Sequence, residues 1–282
     1  MELVPAASAL LDYAESGFDT FDMADHYGSA ELIAGHARRK MQENDSANRP
    51  SSQARFHTKW CPKPGEMTPQ KVRDGILLSA ERLDTEQIDL MQFHWWNFEH
   101  PQYVDAMEEL QALKKEGIIR HLGLTNFDTD HLHLLLQEGI PIISNQVVVS
   151  LLDRHALAEM SRLCLEHGVK LLAYGTVAGG FLSEHWLGQE EPSLSGIHDW
   201  SKMKYKRFID QTGGWEKFQQ ILRVLDAIAR KKEVSITNVA TRWVLDQPAV
   251  GAVIIGARLT ESEHRADTVS YTHLTLPTKR IV

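Results

Sequence analysis

Cysteine is scarce in this sequence: two residues, Cys61 and Cys164, among 282. That is too few for a disulfide framework and suits a reducing compartment, so a cytoplasmic protein is expected. Long apolar runs are missing too. None reaches the ~18 residues that would cross a bilayer, so no membrane span is expected. The opening Met1-Glu2-Leu3-Val4-Pro5 lacks a basic region followed by an apolar stretch, so no secretory signal is visible. Organelle import stays open, because the N-terminus reads as incomplete. An excess of positive charge is absent: 30 basic against 38 acidic residues give a net charge of −8. That argues against broad binding to nucleic acid or anionic membranes. Repeats and low-complexity linkers are lacking. No GxGxxG follows a strand-like run, so the Rossmann fingerprint is absent as well.

What is present is an ordinary globular composition, 43% hydrophobic and 24% charged. Short β-rich runs at 18–24, 56–60, 88–95, 120–126, 142–150, 170–174 and 250–256 alternate with amphipathic stretches. Those stretches lie at 29–41, 69–83, 104–115, 129–138 and 156–167, and a first helix covers 5–16 and ends at Gly17. Alternating βα units with Val/Ile/Leu-rich strands imply an α/β fold with a parallel sheet. Seven strands preceded by a helix predict a (β/α)8 TIM barrel lacking its first strand. Residues 183–214 read as one long irregular stretch, a lid or substrate loop. Residues 1–268 are expected to form the barrel domain. The tail 269–282 continues neither the helical pattern nor any motif; it resembles the translation of a sequencing adaptor and is set apart as a non-native tail.

In barrel enzymes the reactive groups lie where the strands end. The first predicted strand ends in Asp22, with Tyr27 five residues on; the next ends in His57-Thr58-Lys59-Trp60, and the third in Gln92-Phe93-His94-Trp95. Each residue has an ordinary reading when taken alone. Asp22 could cap a helix, Tyr27 could pack at the Gly28 turn, and His94 could be a satisfied core histidine. Lys59 is harder to dismiss, because lysine in an apolar strand end is costly unless paired. Their joint occurrence on three successive strand ends favours chemistry. A tyrosine of ordinary pKa ~10 is a poor acid near neutrality, and a neighbouring ammonium lowers that value. A carboxylate would hold the ammonium, and an imidazole would orient a carbonyl oxygen. None of the four can donate hydride, so the donor must be a cofactor.

The segment Gly17-Phe18-Asp19-Thr20-Phe21-Asp22-Met23-Ala24-Asp25-His26-Tyr27-Gly28-Ser29-Ala30-Glu31 resembles the signature of the aldo-keto reductases around their catalytic Asp and Tyr. Lys59 and His94 fall where that family's Lys and His would, and the resemblance covers about residues 6–268. It implies hydride transfer from NADPH to an aldehyde or ketone, or the reverse, with Tyr27 as acid, Lys59 and Asp22 tuning it, and His94 orienting the substrate. It further implies that Thr125, Asn126 and Gln146 hold the nicotinamide carboxamide and that Tyr174 stacks on the ring. The run from Gly175 and Thr176 through Gly179 and Gly180 to Leu182 would fold over the pyrophosphate.

Gly256, Ala257 and Arg258 end the last predicted strand and open a helix, the usual phosphate site of a barrel. Arg258 there favours NADP(H) through the 2′-phosphate. Ser262 and His264 reach the adenosine end in the resemblance, whereas Asp267-Thr268 departs from it, standing where relatives often carry an Asn. Trp60, Trp95 and Trp96 would line the substrate pocket, as in relatives, which would suit an apolar or aromatic carbonyl compound. Two other readings compete. A metal-dependent hydrolase would need further His or Asp ligands on later strands, where Asn126, Ser150 and Gly256 stand instead, so no metal is expected. A non-catalytic NADPH-binding regulatory subunit of the same fold is the second. The physiological substrate and the oligomeric state are not written in the sequence.

Overall fold

The computed structural model describes residues 3–43, 54–193 and 200–256, side chains 200–202 excepted. Helix α1 (Leu3–Glu15) leads into strand β1 (Thr20–Asp22), followed by α2 (Ala30–Glu43), β2 (Arg55–Trp60), α3 (Pro69–Arg82) and β3 (Ile88–His94). Then come α4 (Tyr103–Lys115), β4 (Ile119–Thr125), α5 (Thr129–Gln137), β5 (Ile142–Val148), α6 (Glu159–His167) and β6 (Lys170–Tyr174). The chain continues through α7 (Trp200–Gln211), α8 (Gly214–Lys232) and α9 (Ile236–Leu245) to β7 (Val250–Val253). All seven expected strands are found: β1, β3, β5 and β7 are shorter than expected, β2 and β4 begin one residue earlier, and β6 has the expected bounds. The helix starts obey local chemistry. Thr68 caps α3 by accepting from the Lys71 N–H, with proline in the first turn, and Asp128 and Ser235 cap α5 and α9 in the same way.

The expectation of one long irregular stretch at 183–214 is corrected. It holds a turn of 3-10 helix (Glu184–Trp186) and the whole of α7. Tyr205, Phe208 and Ile209 are buried on α7 at helical spacing. That apolar stripe is short and surrounded by lysines and arginine, and Gly213-Gly214 follows it, so the period was masked.

The described residues divide into two compact units: 3–146 with His167–Val169 and Gly256, and Val147–Glu166 with Lys170–Ile255. In the first unit β1, β2, β3 and β4 pair in parallel with their successors, with registers Asp22↔His57, Lys59↔Gln92, His94↔Thr125 and Thr125↔Gln146. Side chains alternate faces along a strand. One face therefore carries Phe56, Met91, Phe93, Leu122 and Leu124, all buried. The other gathers Lys59, Gln92, His94, Thr125 and Gln146. Behind the apolar face Ile33, Val72, Ile76, Met107, Leu110 and Leu113 are also buried on the connecting helices, each worth ~1.5–3 kcal/mol of hydrophobic stabilisation. Packing there is close: a Cβ on Gly75 of α3 would meet the Trp60 indole at 2.4 Å.

In the second unit β6 and β7 pair in parallel with Leu171↔Val250 and Ala173↔Val253. Its core joins Leu152, Phe181, Leu182 and Tyr205 to Phe218, Leu222, Ile236 and Ala240.

Candidate active site

Lys59 closes the first unit's polar face. Its side chain is 1% exposed, and Nζ donates to Asp22 Oδ2 at 2.5 Å and to the Met23 carbonyl at 2.7 Å. Burial pulls the ammonium's pKa down, and the Asp22 carboxylate pushes it back up. An uncompensated charge could not stay there. Nζ also lies 5.0 Å from the centre of the Tyr27 ring, a cation–π contact. Tyr27 itself is half exposed, whereas its partner is hidden.

Asp22 is held by more than the lysine. Its Oδ1 accepts from Gln92 Nε2 at 2.7 Å and from Gln146 Nε2 at 3.1 Å, and Gln146 Nε2 also donates to Gln92 Oε1 at 2.7 Å. This places Gln146 in the carboxylate network of the first unit. Gln92 was missed at the sequence level as a functional residue. The signal was there, since a buried amide in Gln92-Phe93-His94 needs partners as much as Lys59 does. His57 lies two residues before Lys59 on the same strand. Burial lowers its pKa, which leaves it a neutral core imidazole.

His94 ends β3 with Nε2 3.3 Å from the Asn126 side-chain nitrogen. Asn126 adopts a left-handed backbone (φ 59°), and its N–H donates to the Gln146 carbonyl at 2.9 Å, which turns the chain just after buried Thr125. Asp22, Tyr27, Lys59, His94, Thr125, Asn126 and Gln146 thus share one unit, and contacts link Asp22 with Lys59 and Gln146, Lys59 with Tyr27, and His94 with Asn126.

The three tryptophans separate. Trp60 is buried between Gly75 and Phe93, and Trp95 is buried with Nε1 donating to the His100 carbonyl at 3.1 Å. Only Trp96 presents its ring, at 60% exposure. The expectation that all three line a pocket is corrected: alternation turns the flat rings of Trp60 and Trp95 into the helix-facing core.

In the second unit Tyr174 ends β6, with the Lys204 ammonium 4.7 Å above its ring and 3.5 Å from its hydroxyl. Burial and the nearby Arg207 lower the pKa of Lys204. Gly175 follows at φ 69°, where a Cβ would meet the Tyr205 hydroxyl at 2.6 Å. A 3-10 turn (Ala178–Gly180) holds Gly179 and Gly180 at positive φ, and a Cβ on Gly180 would meet nothing within 4 Å. Thr176 and Leu182 are buried, and Leu182 belongs to the apolar core by its side chain. Gly256, in the first unit, is exposed, with open space where a Cβ would stand. Ala257, Arg258, Ser262 and His264 lie outside the described residues. Among the described residues no group of His, Cys, Asp or Glu could hold a metal ion, and no helix is long and apolar enough to cross a membrane.

A family model described as the aldo/keto reductase family matches residues 3–281. The NADH-specific methylglyoxal reductase of Escherichia coli is 26% identical over 281 residues, covering 89% of this chain and 78% of that protein. Flagellar radial spoke protein 5 of Chlamydomonas reinhardtii is 32% identical over 179 residues, covering 57% of this chain; the matched part spans only 34% of that longer protein. Among solved structures, the glycerol dehydrogenase of Gluconobacter oxydans superposes with a TM-score of 0.72 at 25% identity, over 97% of this chain and 86% of its own.

Proposed function

Since this chain belongs to the aldo/keto reductase family, with the α/β, (β/α)8-type fold of its solved members, we propose that it transfers hydride between NADPH and the carbonyl of an aldehyde or ketone. The observation that carries this reading is Lys59, hidden from water, paired to Asp22 and resting against the Tyr27 ring. A nicotinamide cofactor, when bound, supplies the hydride. Everything else falls to the chain's own groups. Tyr27 gives the proton of Oη to the developing alkoxide, and the Lys59 ammonium stabilises the phenolate left behind. Asp22 keeps Lys59 charged, with Gln92 and Gln146 fixing the carboxylate. His94 orients the carbonyl oxygen. The intact Asp22–Lys59 pair beside Tyr27 supports a catalyst over a regulatory subunit, because it sets an ammonium where it can stabilise a phenolate.

Residues toward the cofactor fit the same reading. Thr125, Asn126 and Gln146 are the candidates for the carboxamide, Tyr174 for the nicotinamide ring, and the backbone from Gly175 to Leu182 for the diphosphate. The open backbone at Gly180, in the second unit, suits an approaching phosphate. NADPH is preferred here over NADH because of Arg258, although the E. coli relative is named for NADH. Two free cysteines suit a reducing, cytoplasmic setting.

The test is Tyr27→Phe, which removes the acid and keeps the ring. Turnover of a carbonyl substrate is expected to fall by ~10²–10⁴-fold. NADPH affinity, followed by protein fluorescence, should hardly change. Equal turnover in the variant would exclude Tyr27 as the proton donor.

A further inference from the structure

His26 stands beside the acid and has no part in the mechanism above. Its Nδ1 lies 2.8 Å from Asp25 Oδ1, and the other Asp25 oxygen accepts the Cys61 N–H at 3.0 Å. The Asp25 N–H in turn donates to the Lys59 carbonyl at 2.9 Å, so the pair is tied to the strand end that carries the lysine. In the neutral imidazole the carboxylate selects the tautomer in which Nδ1 carries the proton and donates, and Nε2 keeps its lone pair. Nε2 has no partner among the described residues, and the side chain is 46% exposed. The ring meets Tyr27 edge to face at 4.8 Å and lies 6.3 Å from the His94 ring. His26 is therefore the third ring of the cluster whose other two, Tyr27 and His94, are assigned to the carbonyl oxygen.

We propose that His26, held by Asp25, accepts a hydrogen bond from a hydroxyl group on the carbon next to the carbonyl, so that the preferred substrates are neutral hydroxylated aldehydes and ketones. The assignment rests on the reductase reading. An imidazole with a free lone pair accepts an O–H, whereas an alkyl group in its place would strip water from Nε2 and return nothing. With a neutral imidazole, the Asp25–His26 pair is negative as a whole, which disfavours carbonyl compounds bearing a carboxylate or phosphate at that position. The correction to Trp60 and Trp95 points the same way: those two indoles are turned into the core, and the ring that packs on Tyr27 is the His26 imidazole.

Hydroxyacetone and butanone make the test pair, since they have the same size and differ by hydroxyl against methyl. The hydroxyl also activates the carbonyl electronically, so the readout is the change in the ratio of their kcat/KM values. His26→Leu is expected to lower the hydroxyacetone-to-butanone ratio about tenfold, the value of one good hydrogen bond, and His26→Gln should recover part of it. In the unaltered protein, hydroxyacetone should shift the ¹⁵N resonance of His26 Nε2, and butanone should not. Turnover of both ketones with an unchanged ratio, or parallel losses for both, overturns the hydroxyl assignment alone. Turnover of neither ketone overturns the reductase reading and this assignment with it.

Discussion

At the residue scale the site is governed by the cost of burying charge. Lys59 is tolerable in the core because Asp22 and the Met23 carbonyl accept hydrogen bonds from its ammonium, and Asp22 is tolerable because Gln92 and Gln146 donate to its other oxygen. That chain of obligations was half legible in the sequence. Lysine in an apolar strand end announces a partner, but nothing local says which carboxylate supplies it 37 positions away. Arg258 belongs to the same scale. Arg258→Ala is expected to weaken NADPH much more than NADH, because only NADPH carries the 2′-phosphate. A charge-assisted contact of ~1.5–3 kcal/mol corresponds to a loss of preference of roughly tenfold or more. Fluorescence titration with both cofactors checks it, and parallel losses would assign Arg258 to structure.

At the scale of elements, parallel pairing places the site. The registers Lys59↔Gln92, His94↔Thr125 and Thr125↔Gln146 bring one polar residue after another to the same face of successive strands. Strand identity was readable from Val/Ile/Leu content and helix identity from the 3.6-residue period. Helices α7, α8 and α9 were not among the stretches read there; for α7 the apolar stripe is narrow and glycine follows it. The same helix explains Gly175. Tyr205 of α7 fills the space where a Cβ would project, and φ 69° is a backbone that L side chains avoid. Gly175→Ala is expected to cost ~1–3 kcal/mol, from the left-handed backbone and from displacing buried Tyr205. Thermal unfolding would read this directly. A variant as stable as the parent would mean that the turn relaxes without cost, and would remove the close approach as the reason for glycine.

At the scale of the whole molecule the family match reaches residue 281, whereas the sequence pattern sets the domain boundary at 268. We expect residues 1–268 to carry the reductase function and 269–282 to add nothing. Deleting 269–282 should leave the unfolding temperature within about a degree and NADPH affinity unchanged, as is expected of a terminal segment beyond the domain boundary. A lower unfolding temperature or weaker binding would show that the tail packs against the domain. The two compact units each carry part of the candidate residues, the groups proposed for proton transfer in the first and Tyr174 with its glycine turn in the second.

The sequence by itself determined the class of fold and the seven strands, and it pointed to the four residues proposed for proton transfer, because period, capping and the cost of a buried lysine are local properties. Tertiary structure alone decided which side chains meet. It pinned Asp22 with two glutamines, put Lys59 against Tyr27, and sent Trp60 and Trp95 into the core while leaving Trp96 outside. Those outcomes depend on strand register and on which face of each strand meets the helices. Both are fixed by packing between segments far apart in the chain, and so lie beyond the reach of any local pattern.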